Sequence, residues 1–170
     1  MSHSARAVPA PAADAAVASS AAGGDDAALL AARAAAARDG LAYAGGVPPV
    51  EAWRLVQEGR AKLVDVRSAE ERKFVGHVPD SLHVAWASGT SLTRNPRFVR
   101  ELEAKGGKGE VLLLLCRSGK RSALAAEAAA KAGFTATFNV LEGFEGELDG
   151  AQHRGGSDGW RFHGLPWVQD

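Results

Sequence analysis

The chain has 170 residues, which is enough for one domain with a buried core. Its 20 lysines and arginines balance its 20 aspartates and glutamates, so the composition argues against binding to nucleic acid or to an anionic membrane. A single cysteine excludes an internal disulfide, and the five scattered histidines give no zinc-ligand spacing. Apolar runs are too short for a membrane span and the amino terminus lacks a secretory pattern, so we expect a cytoplasmic protein. From the histidine and cysteine spacing we expect no metal site.

The amino-terminal part of the chain is predicted to contain a tail and two helices. Residues 1–24 lack the large apolar side chains that offset the entropy cost of ordering, so we predict a disordered tail. Acidic residues at the start and a glycine at the end predict a helix over 26–38, and its few large apolar residues predict loose packing. We interpret 25–46 as this helix and a linker. A second short helix begins near Pro48 and ends at Gly59.

Beyond residue 60, predicted strands and helices alternate. Four apolar segments bounded by turn residues predict strands over 61–66, 81–86, 110–115 and 136–141. The helices between them are predicted to begin near Ser68, Pro96 and Ser122. Strands separated by helices indicate βαβ units and a mostly parallel sheet. The sequence therefore predicts one α/β domain over residues 47–170.

The only cysteine follows directly after the most apolar predicted strand. In "LLLLCRSGKRS" (residues 112–122), four leucines end at Cys116, and glycine, serine and cations follow. Open α/β sheets bind ligands at the carboxyl ends of their strands, and a short loop before a helix directs backbone N–H groups toward one point. These donors and cations predict that Cys116 is held as a reactive thiolate. The alternative is an inert, buried cysteine.

Several segments, in the same order along the chain, resemble the rhodanese family of sulfurtransferases. They are "LVDVRSAEE" (63–71), "GHVPDSLHV" (76–84), "CRSGKRS" (116–122) and the stretch from "NVLEGFEG" to "GWRFHGLPW". The resemblance implies a rhodanese-like three-layer fold, with a five-stranded parallel sheet flanked by helices. It also implies a double displacement, in which Cys116 takes a sulfane sulfur from a donor such as thiosulfate and passes it to a thiophilic acceptor.

The resemblance also assigns residues to the site around Cys116. The active-site loop consists of Arg117, Ser118, Gly119, Lys120, Arg121 and Ser122. At least one of its cations is expected to steer an anionic donor toward the sulfur. Asp65 either orients groups near the loop or forms a salt bridge with Arg67 or the glutamates that follow. Arg67 is expected to be structural and to pair with the acidic helix, as in the family.

The sequence departs from the family pattern near its carboxyl end. Phe144 occupies the position of the second glycine in the family's Leu-x-Gly-Gly, and residues 145–159 intervene before Trp160. This insertion leaves open what covers the active site, and it is a candidate to shape the acceptor pocket.

Three functions are compatible with these features. The intact cysteine and its cationic, glycine-containing loop favour an active sulfurtransferase over a catalytically silent binding or regulatory module. Phosphatases and arsenate reductases of the same fold use Cys-x5-Arg, one residue longer than the spacing between Cys116 and Arg121.

The transferase would need no cofactor beyond its cysteine persulfide. Its expected partners are a small anionic sulfur donor and an acceptor such as cyanide, a thiol or a protein, with a protein persulfide as an alternative donor.

Overall fold

A five-stranded parallel sheet forms the centre of the computed structural model, which describes residues 26–170. In chain order the strands are β1 (Gly45–Val47), β2 (Lys62–Asp65), β3 (Leu82–His83), β4 (Ala87–Ser88), β5 (Thr93–Arg94), β6 (Leu112–Leu115) and β7 (Thr137–Val140). The sheet has the order β1-β7-β6-β2-β3, whereas β4 and β5 form a separate antiparallel hairpin. Strand β6 is therefore central, with β2 and β7 paired in parallel on either side.

Helices cover both faces of this sheet. They are α1 (Ala27–Asp39), α2 (Pro49–Gln57), α3 (Ala69–Phe74), α4 (Phe98–Gly106) and α5 (Lys120–Lys131). Alternate leucines of β6 belong to two separate cores: Leu113 and Leu115 pack with buried residues of α1 and α2, whereas Leu112 and Leu114 pack with those of α4 and α5. The four-leucine run is apolar throughout because both faces of its strand are buried. This arrangement confirms the predicted three-layer α/β fold.

Helix α1 is packed closely against the sheet, so the expectation of loose packing is wrong. Leu29 and Ala32 are buried in the core beside α2. Small alanines allow this close approach, and a Cβ atom at Gly45 would collide with the carbonyl group of Ala32. Asp26 begins the helix by accepting the N–H of Ala28 at 2.9 Å. The same carboxylate binds Arg54 through both oxygens, at 3.0 and 3.1 Å, which ties α1 to α2.

Several element boundaries differ from the predicted ones. Strand β1 was not predicted, because its sequence Gly-Gly-Val carries little of the usual strand signal. Of the residues in the predicted strand over 81–86, only Leu82–His83 form a strand. The β4–β5 hairpin follows them in the chain. Helix α5 begins at Lys120 and not at Ser122. The predicted disorder of residues 1–24 lies outside the described residues and stays a prediction.

The chain after β7 wraps over the carboxyl edge of the sheet and contains no helix among its described residues. Its anchor is Trp160, which is fully buried and packs edge-on against Trp53 with ring centroids 5.9 Å apart. The Trp160 ring N–H donates to the carbonyl of Pro166 at 2.9 Å. An isolated bridge between His77 and Val168 joins the end of the chain to the segment after α3. Within residues 26–170, no helix is long and apolar enough to cross a membrane.

We expect Asp26→Ala to lower the free energy of unfolding by about 1–2 kcal/mol, since the carboxylate both caps α1 and binds Arg54. Urea unfolding measures the change. Asp39→Ala, at the exposed end of the same helix, is the matched control and should change stability by less than about 0.5 kcal/mol. Equal effects of the two substitutions would contradict the role given to Asp26.

Candidate active site

Cys116 lies at the carboxyl end of β6 and its side chain is buried between the sheet and α5. Two groups contact its sulfur. The backbone N–H of Gly119 donates to Sγ at 3.1 Å, and the hydroxyl oxygen of Ser122 lies 3.1 Å from the same atom. The short loop and the first turn of α5 therefore curl around the sulfur, as the sequence predicts for a thiolate-binding loop.

The early start of α5 brings its positive end close to the sulfur. Gly119 is the residue before the helix and has a φ of 96°, a left-handed conformation that favours glycine. Only Arg117 and Ser118 separate Cys116 from this glycine. The free N–H groups of a helix amino terminus carry a partial positive charge, which stabilises an anion placed beside them.

A turn after β7 holds the other side of the loop, and we call residues 143–146 the clamp turn. The N–H of Phe144 donates to the carbonyl of Cys116 at 2.7 Å, and the N–H groups of Glu145 and Gly146 donate to the carbonyl of Arg117 at 3.0 and 3.2 Å. Gly143 has a φ of 71° and lies so close that a Cβ atom would collide with Arg117. Sequence alone does not reveal the role of these N–H groups; the signal that it does contain is Gly143, the glycine shared with the family pattern.

The three cations of the loop have different environments. Arg121 donates to both oxygens of Glu71 in α3, at 2.8 and 2.6 Å. Lys120 is largely exposed, with its ammonium 4.0 Å from Glu147, and Arg117 is exposed to solvent. Arg117 and Lys120 are therefore placed to attract an anion, whereas Arg121 is occupied by an ion pair.

A cavity of about 270 Å³ lies beside the loop, between α3 and the β4–β5 hairpin. Its lining residues are Ser68, Glu70, Glu71, Gly89, Thr90, Leu92, Arg117 and Arg121. The cavity brings charges of both signs within reach of a molecule that approaches the loop. Among residues 26–170, no group of His, Cys, Asp and Glu side chains could hold a metal ion.

Glu71 and Arg121 each stabilise the charged form of the other. Burial alone would raise the pKa of Glu71, but hydrogen bonds from Arg121 and from the Ser68 backbone outweigh it and lower the pKa to about 2. The hydrogen-bonded Glu71 carboxylate raises the pKa of Arg121, and the charges of Cys116 and Asp65 act in the same direction. A fixed cation thus stays within electrostatic range of the sulfur.

Asp65 and Arg67 form a buried pair that does not touch the loop sulfur. Arg67 donates to both carboxylate oxygens of Asp65, at 3.1 and 2.8 Å, and to the carbonyl of Gly76 at 2.7 Å. The expectation that Arg67 pairs with the acidic helix is wrong: Glu71 of that helix binds Arg121 instead. Of the two alternatives for Asp65, the structure shows the salt bridge with Arg67. A second cation, Arg72, donates from its guanidinium to a carboxylate oxygen of Asp65 at 3.0 Å.

Phe144, the departure from the family's second glycine, packs on Arg67. Its ring centroid lies 4.2 Å from the guanidinium carbon of Arg67 and 5.2 Å from that of Arg161. Trp167 meets the same ring edge-on, with centroids 6.1 Å apart. The aromatic side chain thus anchors the clamp turn to the buried Asp65–Arg67 pair.

The chain is similar to known proteins in sequence and in fold. A model of the rhodanese-like domain family matches residues 48–147. The crystal structure of Rv0390 from M. tuberculosis is similar, with a TM-score of 0.67 and 45% identity over 75% of this chain and 99% of that chain. The uncharacterized protein RP600 of Rickettsia prowazekii is 34% identical over 117 residues, which are 66% of this chain and 87% of the relative. The thiosulfate sulfurtransferase GlpE of Pseudomonas savastanoi pv. phaseolicola is 31% identical over 99 residues, 58% of this chain and 82% of the relative.

We expect Glu71→Gln to lower the free energy of unfolding at neutral pH, because it removes the charge that pairs with Arg121. The folded pKa of Glu71, about 2, lies below its ordinary value of 4.5. Its carboxylate therefore stabilises the fold above pH 4.5, and this contribution is lost as the pH falls toward 2.

Urea unfolding of the wild type and the variant across this pH range measures the effect. The difference between them should shrink as the pH falls. Glu70→Gln, on the exposed side of α3, is the control and should show a small difference at every pH. An undiminished Glu71→Gln effect at the acidic end of the range would argue that the ion pair is not its source.

Proposed function

Because this chain belongs to the rhodanese-like domain family, we propose that it is a sulfurtransferase that carries a sulfane sulfur on Cys116. The observation that carries the proposal is the environment of the sulfur. Sγ lies 3.1 Å from the Gly119 N–H and 3.1 Å from the Ser122 hydroxyl, beside the amino terminus of α5. The N–H donor and the positive end of α5 favour a thiolate over a thiol, and a thiolate is the nucleophile of this chemistry.

The proposed reaction has two displacements at sulfur. In the first, the Cys116 thiolate attacks the outer sulfur of thiosulfate; a new S–S bond forms, and the old one breaks as sulfite leaves with the electron pair. In the second, an acceptor such as cyanide attacks the outer sulfur of the persulfide. Thiocyanate then leaves and the Cys116 thiolate returns. Neither step changes the number of protons, so neither requires a general base.

Burial of Cys116 restricts the proposed donors. The side chain is 1% exposed, so a donor must present a terminal sulfur that can enter the loop. Thiosulfate and persulfides have such a terminal sulfur. Exposed Arg117 and Lys120 would attract a small anion toward the loop, and the neighbouring cavity has room for the rest of the donor or for the acceptor. We assign the reaction to the cytoplasm, where reducing conditions keep a free thiol available.

The two other predicted functions gain less support from the site. A silent binding module would not require a backbone donor and a hydroxyl beside the sulfur, whereas both are present here. A phosphatase requires a free arginine to bind the phosphate, but both terminal nitrogens of Arg121 are occupied by Glu71.

The protein incubated with thiosulfate should gain the mass of one sulfur atom, and cyanide or a dithiol should remove it. Intact-mass spectrometry measures both changes. Cys116→Ser is the matched control because it removes the only thiol in the chain, and it should show no gain and no release of sulfite. Sulfite release by the Cys116→Ser variant, or a wild type that stays unmodified, would refute the proposed mechanism.

A further inference from the structure

We propose that Asn139 is a positioning residue that raises the free energy of the Cys116 thiolate relative to that of the persulfide. Asn139 lies in β7 and does not contact the sulfur. The inference rests on the proposed function, in which Cys116 carries the sulfur. Asn139 is a buried polar side chain in the strand next to β6. It binds the hydroxyl of Ser122 and the carbonyl of Gly119, the two residues whose other contacts include the sulfur.

The contacts of Asn139 determine the orientation of its amide group. Its Nδ2 donates to the carbonyl of Gly119 at 3.1 Å, so its Oδ1 points toward Ser122. The hydroxyl of Ser122 donates to that Oδ1 at 2.5 Å. A flipped amide would place two oxygens against each other at Gly119. Asn139 therefore offers Ser122 an acceptor, in addition to the sulfur.

The sulfur of Cys116 and the Oδ1 of Asn139 compete for the hydroxyl proton of Ser122. Ser122 has one hydroxyl proton. When Cys116 is a thiol, its S–H can donate to the Ser122 oxygen while the hydroxyl donates to Asn139, and every group is satisfied. When Cys116 is a thiolate, the sulfur and the Oδ1 of Asn139 both require the same proton. Either the Oδ1 of Asn139 loses its donor, or the thiolate is left with the N–H of Gly119 and without the hydroxyl, and in a buried site either loss is costly.

The persulfide removes this competition. Its negative charge lies on the outer sulfur, so the inner sulfur no longer requires the Ser122 proton. The hydroxyl can then donate to Asn139 without loss. Asn139 thus raises the free energy of the unloaded thiolate and leaves the loaded state unaffected, which favours sulfur uptake.

Charged side chains lie on the elements packed around the loop, and within residues 26–170 none of them hydrogen-bonds Asn139. They come from β2 and the turn after it, α3, the loop, α5 and the residues after β7, and they are Asp65, Arg67, Glu71, Arg72, Arg117, Lys120, Arg121, Glu142 and Glu145. A substitution at Asn139 leaves all of them in place. Gly119 also keeps a donor on its carbonyl, because the N–H of Ala123 lies 3.3 Å away. A change in the ionisation of Cys116 can therefore be assigned to the lost acceptor.

The test measures thiolate formation by its far-ultraviolet absorbance as the pH rises, with the matching Cys116→Ser protein subtracted. Asn139→Leu frees the Ser122 proton for the sulfur. It should shift the midpoint to lower pH by about one unit, equivalent to one hydrogen bond to a charged group. At a fixed ratio of thiosulfate to sulfite, the same variant should load sulfur with an equilibrium constant about tenfold lower.

Two comparisons separate this role from a structural one. In a Ser122→Ala background, Asn139→Leu should no longer shift the midpoint, because the shared proton is absent. Thr137→Val, two residues earlier on the same face of β7, removes a buried hydroxyl that has no hydrogen-bond partner among residues 26–170, and it should leave the midpoint unchanged. Should Asn139→Leu fail to fold, as judged by thermal melting, Asn139→Ala replaces it.

An unchanged midpoint in Asn139→Leu, or an equal shift with and without Ser122, would overturn the inference. The titration needs no sulfur donor, so it is decided independently of the proposed function. If the wild type forms no persulfide, the proposed function fails, while the absorbance titration still shows whether Asn139 and the sulfur compete for one proton.

Discussion

The hydrogen bonds from the clamp turn to the active-site loop are the constraint on which the site depends. A trans peptide unit directs its carbonyl and its N–H in opposite directions. Because the carbonyls of Cys116 and Arg117 are bound by N–H groups of residues 144–146, the N–H groups of Arg117 and Ser118 face away from the clamp turn. The loop can then close around the sulfur with donors and not acceptors directed inward. Gly143 makes this possible, since no other residue fits so close to Arg117.

Charge near the loop is held in two ion pairs, Glu71 with Arg121 and Asp65 with Arg67. One pair, Asp65 with Arg67, is fully buried. The terminal nitrogen of Arg67 that lacks a hydrogen-bond partner in the described part of the chain lies in a guanidinium stacked on the Phe144 ring. The electron-rich ring face compensates for the missing acceptor. Phe144 therefore has a physical role where the family has glycine: it connects the clamp turn to the ion pair.

Burial patterns explain which parts of the fold could be predicted from the sequence. The run Leu112–Leu115 predicts a strand buried on both faces, and the structure has it at the centre of the sheet. The strand Gly45–Val47 could not be predicted because its pairing with β7, and not its own composition, makes it a strand. Helix α1 packs tightly through alanines, whose small size gives a weak apolar signal but permits close approach.

The candidate site was predictable only where neighbours in sequence are neighbours in space. Cys116, Gly119 and Ser122 lie together as the spacing predicts. The partner of Arg121 is fifty positions away along the chain, in α3, and sequence spacing cannot reveal it. Asn139 did give a signal, since a polar residue within the apolar segment "ATFNVL" predicts a buried hydrogen-bond partner.

Transfer of labelled sulfur tests the central claim, that Cys116 is a covalent carrier, most directly. Thiosulfate labelled only in its outer sulfur is mixed with the protein, free donor is removed, and cyanide is added in a single turnover. The account predicts that the label first remains with the protein and then moves quantitatively into thiocyanate. Label that never remains with the protein, while thiocyanate still forms when donor and cyanide are present together, would show direct transfer and contradict the account.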